Sequence, residues 1–496
     1  MSIFRSLVLA LGFAPLVFAQ GSTSPPNKPN IIVILTDDQG YADVGVYGAK
    51  GFETPVLDRL ASEGIRFTSF YATESACSPT RASIMTGSYP TRVGIPEVLF
   101  PGATEGLNPD EITIAELARG QGYATQAIGK WHLGDHPLFL PTNHGFDHYF
   151  GLPYSNDMSP DPKHNYWPKN RVKNPPLPLI RDTTVIEREP DQSQLTRRYT
   201  VEAVEFIKEH ARDPFLLYLA HSMPHTPIFA SEAFAGTTEQ GTYGDVIAEI
   251  DWSVGRIVET LVSLGIENNT LVFFCSDNGP WLVFGNHAGS AGPFREGKAT
   301  TFEGGHRVPA IAWWPGTIKP GGVYDGIASS MDLLPTVAGI VGAPVPTDRV
   351  IDGKDLRPVL LGDSTAIHPY DSFFFYRSGR LEGVRSSHWK LHVPHWYVTP
   401  DSIGNDAWPG VYRREDMPLA LYDLQADPGE TADVSGRHPD VVARLSALID
   451  RARREIGDAI TGSVGSLARP PGHVAKPWAQ NPLPNLGARP DKDPAQ

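Results

Sequence analysis

A cysteine and an arginine in one short segment, Cys77 and Arg81, are the first residues of the chain that could perform chemistry together. They belong to the sequence C-S-P-T-R, which follows a β-prone run, 65–70, and precedes a helix-compatible run, 82–85. The positive end of a helix stabilises a cysteine thiolate, and a neighbouring guanidinium adds to that effect. The segment therefore predicts a nucleophile beside a cation that binds anions.

Three predicted strands end in polar residues: Asp37 and Asp38 after 30–36, Lys130 and His132 after 123–128, and Asp277 and Asn278 after 270–276. Ligands of open α/β sheets bind beyond the carboxyl ends of the strands. Carboxylate and amide oxygens suit Ca²⁺ or Mg²⁺, and two residues separated by one in an extended segment point the same way. Taken singly, each group is also explained as a solvated turn, a surface lysine or a packed histidine. Their recurrence at three strand ends favours one shared site.

The composition predicts a soluble globular protein and argues against a nucleic-acid binder. The chain has 496 residues, 41% hydrophobic residues and a net charge of −14, whereas nucleic-acid binders usually carry a basic balance. An acidic balance still allows an anionic substrate, because local cations can reverse the field. The length predicts one large α/β domain and a smaller one.

The first residues are typical of a secretory signal. Arg5 precedes an apolar run, 7–19, which is short for a membrane span and ends in a suitable cleavage sequence. We therefore expect an exported protein, periplasmic or secreted, with cleavage near Ala19 and no integral membrane segment. The predicted organisation is a signal peptide at 1–19, a catalytic domain at 28–368, a C-terminal antiparallel-sheet subdomain at 369–460 and a proline-rich tail at 461–496.

Four segments carry a resemblance to the type I sulfatases, nearest to the arylsulfatase A and N-acetylgalactosamine-6-sulfatase group. The C-S-P-T-R sequence resembles the signature whose cysteine is oxidised to formylglycine, and 122–134, read as G-Y-x-T-x-x-x-G-K-W-H-L-G, resembles the second signature. The glycine-rich run 292–305 and the stretch 421–430 resemble later family segments. The resemblance covers roughly 28–456 and implies an alkaline-phosphatase-like fold. That fold is a mainly parallel central sheet between helices, with a small C-terminal domain of antiparallel sheet and helix.

The resemblance also implies a role for each site residue. One Ca²⁺ ion would be bound by Asp37, Asp38, Asp277, Asn278 and the formylglycine (3-oxoalanine) derived from Cys77. Arg81 and Lys130 would hold the formylglycine alkoxide, His132 would be the base that collapses the hemiacetal, and His225 and Lys298 would bind the sulfate and assist the leaving group. His221, which shares a segment with His225, is interpreted as structural.

The implied activity is hydrolysis of sulfate monoesters, aryl or carbohydrate, through a formylglycine hydrate with release of inorganic sulfate. A maturation enzyme that generates formylglycine would be a partner. The alternatives are a phosphoester or phosphonate hydrolase of the same superfamily, and a non-catalytic protein that binds sulfated glycans. Specificity is expected from 135–191, a long, ordered excursion over the site, from 281–287, and from His395 and Trp396.

The two cysteines leave two interpretations open. Cys77 and Cys275 could form one disulfide, as an oxidising compartment allows. The favoured interpretation has Cys77 modified and Cys275 buried in the strand 271–274, since a chain of this length does not need a disulfide for stability.

Overall fold

The structure, a computed structural model, describes residues 28–160, 174–362 and 370–478. The predicted signal peptide and the end of the predicted tail lie outside the described residues. Within the described ranges, no helix combines the length and the apolar composition needed to cross a bilayer.

A ten-stranded, mainly parallel sheet forms the centre of the molecule. Its strands, in spatial order, are Gly322–Tyr324, Ile65–Phe67, Ala310–Trp313, Thr270–Ser276, Asn30–Thr36, Phe215–Ala220, Ala124–Gly129, His148–Gly151, Pro178–Arg181 and Thr184–Arg188. The strand Asn30–Thr36 pairs in parallel with its two neighbours and is buried along its whole length. A run of β-branched and apolar residues without alternation is typical of a strand covered on both faces, as predicted.

Helices cover both faces of this sheet. Alternate residues of the first strand enter different cores, with Ile31 and Val33 on one face and Ile32 and Ile34 on the other. The first face packs against Cys77–Thr86, Ile114–Gly120 and Leu333–Val341, and the second against Pro55–Glu63, Leu195–Glu209 and Thr242–Leu264. The predicted fold class is confirmed.

The segment 135–191 also contributes strands that the sequence did not predict. They are His148–Gly151, Pro178–Arg181 and Thr184–Arg188, at one side of the sheet. These strands are four or five residues long, with polar residues among the apolar ones. Part of the excursion, 161–173, lies outside the described residues.

The C-terminal part is a four-stranded antiparallel sheet packed against a helix. The sheet runs Phe373–Arg377, Arg380–Ser386, Trp389–His392 and Ala420–Asp423, and the helix is Pro439–Glu455. A hairpin of His395–Pro400 and Tyr412–Met417 contacts the larger, N-terminal part of the molecule, where Thr399 Oγ1 donates to Glu296 Oε1 at 2.9 Å. The remaining elements are short: Glu303–His306 and Arg357–Leu360, and the strand pairs Phe70–Tyr71 with Ala328–Ser329, Glu105–Gly106 with Gly472–His473, and Gly457–Asp458 with Ser463–Val464.

The beginning of the predicted tail packs against the larger, N-terminal part of the molecule. Gly472–His473 pairs with Glu105–Gly106, and the Arg469 guanidinium forms an ion pair with Glu111 at 2.6 Å. The described section of this segment is therefore held against the larger part of the fold.

Candidate active site

The residues predicted to form a site come together at one edge of the central sheet. The strands Asn30–Thr36, Ala124–Gly129, Phe215–Ala220 and Thr270–Ser276 run parallel and end at this edge. The segments that follow them supply, in the same order, Asp37 with Asp38, Lys130 with His132, His225, and Asp277 with Asn278. This placement follows from the topology, since ligands of such sheets bind beyond the carboxyl ends of the strands.

Cys77 begins the helix Cys77–Thr86 and points into the site. Its side chain is buried, its Sγ lies 3.3 Å from Asp37 Oδ1, and it accepts a hydrogen bond from Lys298 Nζ at 3.5 Å. The helix ends at Gly87, whose φ of 65° is the left-handed conformation that glycine adopts without strain. The helix is therefore a short rigid support that holds the sulfur against a carboxylate and an ammonium group.

The expectation that the helix end stabilises a Cys77 thiolate was wrong. Burial, together with the Asp37 carboxylate, raises the pKa of the Cys77 thiol well above its usual value, against the opposing effect of Lys130 and Lys298. A helix terminus contributes about 0.3–1 kcal/mol, which is small beside the cost of burying a charge. Burial and the Asp37 carboxylate therefore act against the thiolate form of the unmodified cysteine.

The Arg81 guanidinium lies behind the carboxylates. Its Nε and Nη2 donate to Asp277 Oδ2 at 3.0 and 2.8 Å, its Nη2 lies 3.4 Å from Asp37 Oδ2, and its side chain is fully buried. Lys130 Nζ donates to the same Asp37 oxygen and also to Ser155 Oγ at 3.2 Å. Burial raises the pKa of Asp37, but Lys130, His225 and Arg81 outweigh it and hold that pKa well below its usual value.

Asp38 lies on the other side of the cluster. Its carboxylate accepts hydrogen bonds from Lys298 Nζ at 2.6 and 2.9 Å and from Asn278 Nδ2 at 2.7 Å. Burial, with the charges of Asp37 and Asp277, raises the pKa of Asp38 to about 7 although Lys298 opposes the shift. Carboxylates that crowd together in this way resist ionisation unless a cation is placed among them.

The donor atoms fit a hard divalent cation. Ligand atoms of Asp37, Asp38, Cys77 and His225 all lie within 4.8 Å of one another. Asn278 Oδ1 is buried and has no hydrogen-bond partner in the described part of the chain, so it is an oxygen free to bind a metal. Three carboxylates and an amide oxygen are the donors that Ca²⁺ prefers. The tight group does not include Asp277, which holds Arg81.

Hydrogen bonds indicate the tautomers of the two site histidines. His132 Nε2 lies 2.9 Å from the Leu99 carbonyl oxygen, so it carries the proton and leaves Nδ1 with its lone pair. His225 Nδ1 lies 2.6 Å from the Thr226 carbonyl oxygen, and its Nε2 faces Asp38 Oδ2 at 3.7 Å. Burial is the main cause that lowers the pKa of both rings well below 6.5, so both are neutral at neutral pH.

A cavity of about 240 Å³ opens onto this cluster. Cys77, His132, His225 and Lys298 line it, whereas Arg81 and the metal-binding carboxylates are not among its lining residues. Trp281, in the region predicted to set specificity, packs beneath the Lys298 ammonium at 4.3 Å from the ring centre. The sulfur, two histidines and one lysine therefore face the space that a substrate would enter.

Ser155, Asp157 and Arg377 line the cavity and were not singled out in the sequence, although the first two lie in the segment 135–191 that was expected to set specificity. Ser155 and Asp157 follow the strand His148–Gly151, which pairs in parallel with Ala124–Gly129 and so ends at the same edge. The rule that identified the other site residues would have found both if that strand had been recognised. Arg377 comes from the C-terminal sheet, and no local sequence signal marked it.

The two residues interpreted as structural lie away from the cavity. Cys275 is buried in the strand Thr270–Ser276, and both cysteines are free, so the disulfide alternative is wrong. His221 is buried with its Nε2 3.4 Å from Ser253 Oγ, and burial lowers its pKa to about 4.

Comparison with known proteins shows the family to which the chain belongs. The sulfatase family matches residues 29–343, and the C-terminal region of aryl-sulfatase matches residues 368–484. The N-acetylgalactosamine-6-sulfatase of Sus scrofa is 41% identical over 485 residues, covering 91% of this chain and 90% of that protein. The arylsulfatase A of Homo sapiens is 38% identical and covers 94% of each chain.

Among solved structures, a sulfatase from Pseudoalteromonas sp. is similar with a TM-score of 0.76 and 28% identity, covering 86% of this chain and 90% of that one. A non-catalytic binding protein is not supported by these relatives, which are sulfatases. The chain belongs to the sulfatase family and is a sulfuric ester hydrolase.

Proposed function

We propose that this chain is an exported sulfatase that hydrolyses aryl or carbohydrate sulfate monoesters with a formylglycine made from Cys77 and one Ca²⁺ ion. The observation that carries the proposal is the position of Cys77, at the cavity wall between Asp37 and Lys298. Burial and the Asp37 carboxylate act against the thiolate form of the unmodified cysteine. Formylglycine, as its hydrate, would instead supply an attacking hydroxyl and a second hydroxyl for release of sulfate.

Ca²⁺, bound by Asp37, Asp38, Asp277 and Asn278, would supply positive charge to the sulfate oxygens. The chain adds its own charges. Lys298 is held over the Trp281 ring and reaches the Cys77 sulfur at 3.5 Å, so its ammonium can neutralise a sulfate oxygen in the cavity. Burial opposes the charge, but Asp38 and its neighbours raise the pKa of Lys298, which therefore stays protonated.

The two histidines suit opposite tasks. His132 Nδ1 has a lone pair and no hydrogen-bond partner among the described residues, so it can accept a proton from a hydroxyl at position 77. His225 presents Nε2 to the cavity. A bound sulfate would favour the charged imidazolium, and that form can donate a hydrogen bond to a sulfate oxygen or a proton to the leaving group.

The test is mass spectrometry of the peptide containing residue 77, from protein made in a host that has a formylglycine-generating maturation enzyme. We expect an aldehyde in place of the thiol, together with release of inorganic sulfate from sulfate esters and little hydrolysis of phosphate esters. An unmodified thiol in that host, or a preference for phosphate esters, would contradict the proposal. N-terminal sequencing of the exported protein should find a chain that begins after Ala19.

A further inference from the structure

The catalytic cavity has a buried, polar inner end and an apolar outer wall. Cys77 and His225 line its inner end and are 2% and 3% exposed, whereas Phe100 lines the same cavity and is 57% exposed. Val98 and Met158 add apolar surface to the lining. A sulfate ester whose sulfur lies at Cys77 therefore extends its leaving group along the exposed part of the lining, to which Phe100 belongs.

Phe100 differs from the other exposed apolar side chains of the molecule. Single exposed apolar residues are common on protein surfaces and need no explanation by themselves. Among the large apolar side chains that the structure shows as exposed within 28–160, 174–362 and 370–478, however, Phe100 is the one that lines the catalytic cavity. Its exposed ring is thus apolar surface that a bound ligand can cover.

The backbone on both sides of Phe100 is fixed to the site. Leu99 N–H donates to Ser78 Oγ at 3.1 Å, and the Leu99 carbonyl oxygen lies 2.9 Å from His132 Nε2. On the other side, Gly102 N–H donates to Asp135 Oδ2 at 2.8 Å. Ser78 follows the nucleophile position in the chain, so these hydrogen bonds hold Phe100 at a set place relative to the reacting groups.

We propose that Phe100 is a specificity residue that binds the leaving group of the substrate through a flat apolar ring face, either an aromatic ring or the C–H face of a sugar. A phenylalanine held in place gains from burial of its surface and from stacking, and it loses little side-chain freedom when a ligand covers it. The inference deepens the proposed function, on which it rests, because it names a feature that the preferred sulfate esters share.

The experiment measures Phe100→Ala in the mature enzyme with two substrates and one inhibitor. The substrates are 4-nitrophenyl sulfate, which has an aromatic ring, and galactose 6-sulfate, which has a sugar ring. The inhibitor is inorganic sulfate, which has no ring. We expect kcat/KM for at least one substrate to fall by about 5- to 20-fold, mainly through KM. The inhibition constant of inorganic sulfate should stay within about twofold, because sulfate alone does not reach Phe100.

Two further variants control for indirect effects. Val323→Ala removes a side chain that is 58% exposed, on the strand Gly322–Tyr324 at the edge of the central sheet and outside the cavity lining. Its kinetic constants should match those of wild type. Phe100→Tyr keeps the ring and should recover most of the kcat/KM that Phe100→Ala loses.

The substrate that loses more identifies the ring that stacks on Phe100. Unchanged KM for both substrates in Phe100→Ala would overturn the inference, and so would a loss in Phe100→Tyr as large as that in Phe100→Ala. A parallel rise in the inhibition constant of inorganic sulfate would also overturn it, since the substitution would then have disturbed the sulfate site itself. Failure of the proposed function looks different, because wild-type protein with a verified aldehyde at residue 77 would then release sulfate from neither substrate.

Discussion

Two buried charge clusters in this molecule have similar composition and different uses. The first is the catalytic cluster of Asp37, Asp38, Asp277 and their cations. The second, which we call the interdomain network, joins Glu303 of the catalytic part to Lys390 and His392 of the C-terminal sheet through Glu430. Both are almost entirely excluded from solvent, so burial alone does not separate a site from a structural contact.

The two clusters differ in whether all of their oxygen atoms have hydrogen-bond or ion-pair partners. In the interdomain network Lys390 Nζ lies 3.0 Å from Glu303 Oε1 and 2.9 Å from Glu430 Oε1. The remaining oxygens accept from Tyr71 OH at 2.6 Å and from the Glu303 backbone N–H at 2.7 Å. Burial acts to raise the pKa of Glu303, but Lys390 and the arginines nearby lower it to about 2.

The catalytic cluster is left incomplete. Asn278 Oδ1 lacks a hydrogen-bond partner among the described residues, the pKa of Asp38 is raised to about 7, and a cavity opens beside both. Buried polar groups are normally satisfied, so an unsatisfied set beside a cavity points to a ligand. In this comparison the raised pKa of Asp38, the unpartnered oxygen of Asn278 and the adjacent cavity, and not the number of charges, distinguish the catalytic cluster.

The most severe change should be Cys77→Ser. The variant should fold and be exported but lose at least about 1,000-fold in turnover of 4-nitrophenyl sulfate, because a serine ester has no internal route to release sulfate. Cys275→Ala is the matched control, since that cysteine is buried in a strand away from the cavity. Near wild-type turnover by Cys77→Ser would contradict the mechanism.

Removal of the metal is the next largest effect we expect. Chelation should lower kcat by at least about 100-fold, and added Ca²⁺ should restore it, because the charge that binds the sulfate is lost. Asp37→Asn should abolish binding of calcium, measured by atomic emission on the purified protein. Asp43→Asn, which removes a buried carboxylate bonded to Tyr243 OH, should retain the calcium. Equal calcium in both variants would argue against the proposed ligands.

Substitution of Lys390 in the interdomain network should lower the stability of the protein and leave catalysis almost unchanged. Lys390→Met leaves Glu303 and Glu430 without their shared cation, and such losses cost about 3–5 kcal/mol in the free energy of unfolding. Urea unfolding measures this loss, while kcat/KM for 4-nitrophenyl sulfate at 25 °C should change less than about threefold. The double variant Lys390→Met/Glu430→Gln should recover part of the stability. A selective fall in kcat without unfolding would mean that the two clusters are coupled.

The smallest effect we expect is the contribution of His221 to the free energy of unfolding, which depends on pH. Burial lowers its pKa from 6.5 to about 4, so the unfolded chain binds the proton more readily between these values. Stability is therefore lost as the pH falls from 6.5 to 4, by about 3 kcal/mol for this group. His221→Gln should lose less stability than wild type over the same range in urea unfolding. Parallel pH profiles for the two proteins would refute the assignment.

Much of this architecture was predictable from the sequence because the central strands are long apolar runs. The strands Asn30–Thr36, Phe215–Ala220 and Thr270–Ser276 fall where the sequence places them, and so do the helices Thr242–Leu264 and Pro439–Glu455. Their polar ends located most of the candidate site, although the role of each residue and the domain limits remain predictions.

The missed features depend on distant partners. The strand His148–Gly151 has no strong pattern of its own and is defined by pairing with Ala124–Gly129, so Ser155 and Asp157 were missed with it. The raised pKa of the Cys77 thiol follows from burial beside Asp37, which a helix-end argument does not include. Arg377 reaches the cavity because the C-terminal sheet packs there, a contact that no local pattern reveals.

The ion pair between Arg469 and Glu111 limits the order in which the protein can fold during synthesis. This ion pair joins residues 358 positions apart, and at about 5–20 residues per second the ribosome needs about 20–70 seconds to make that length of chain. For that interval the segment around Glu111 has emerged without its partner. Closure of the short strand pair Glu105–Gly106 with Gly472–His473 is therefore a late folding step, and the catalytic part completes its surface only when almost all of the chain has been made.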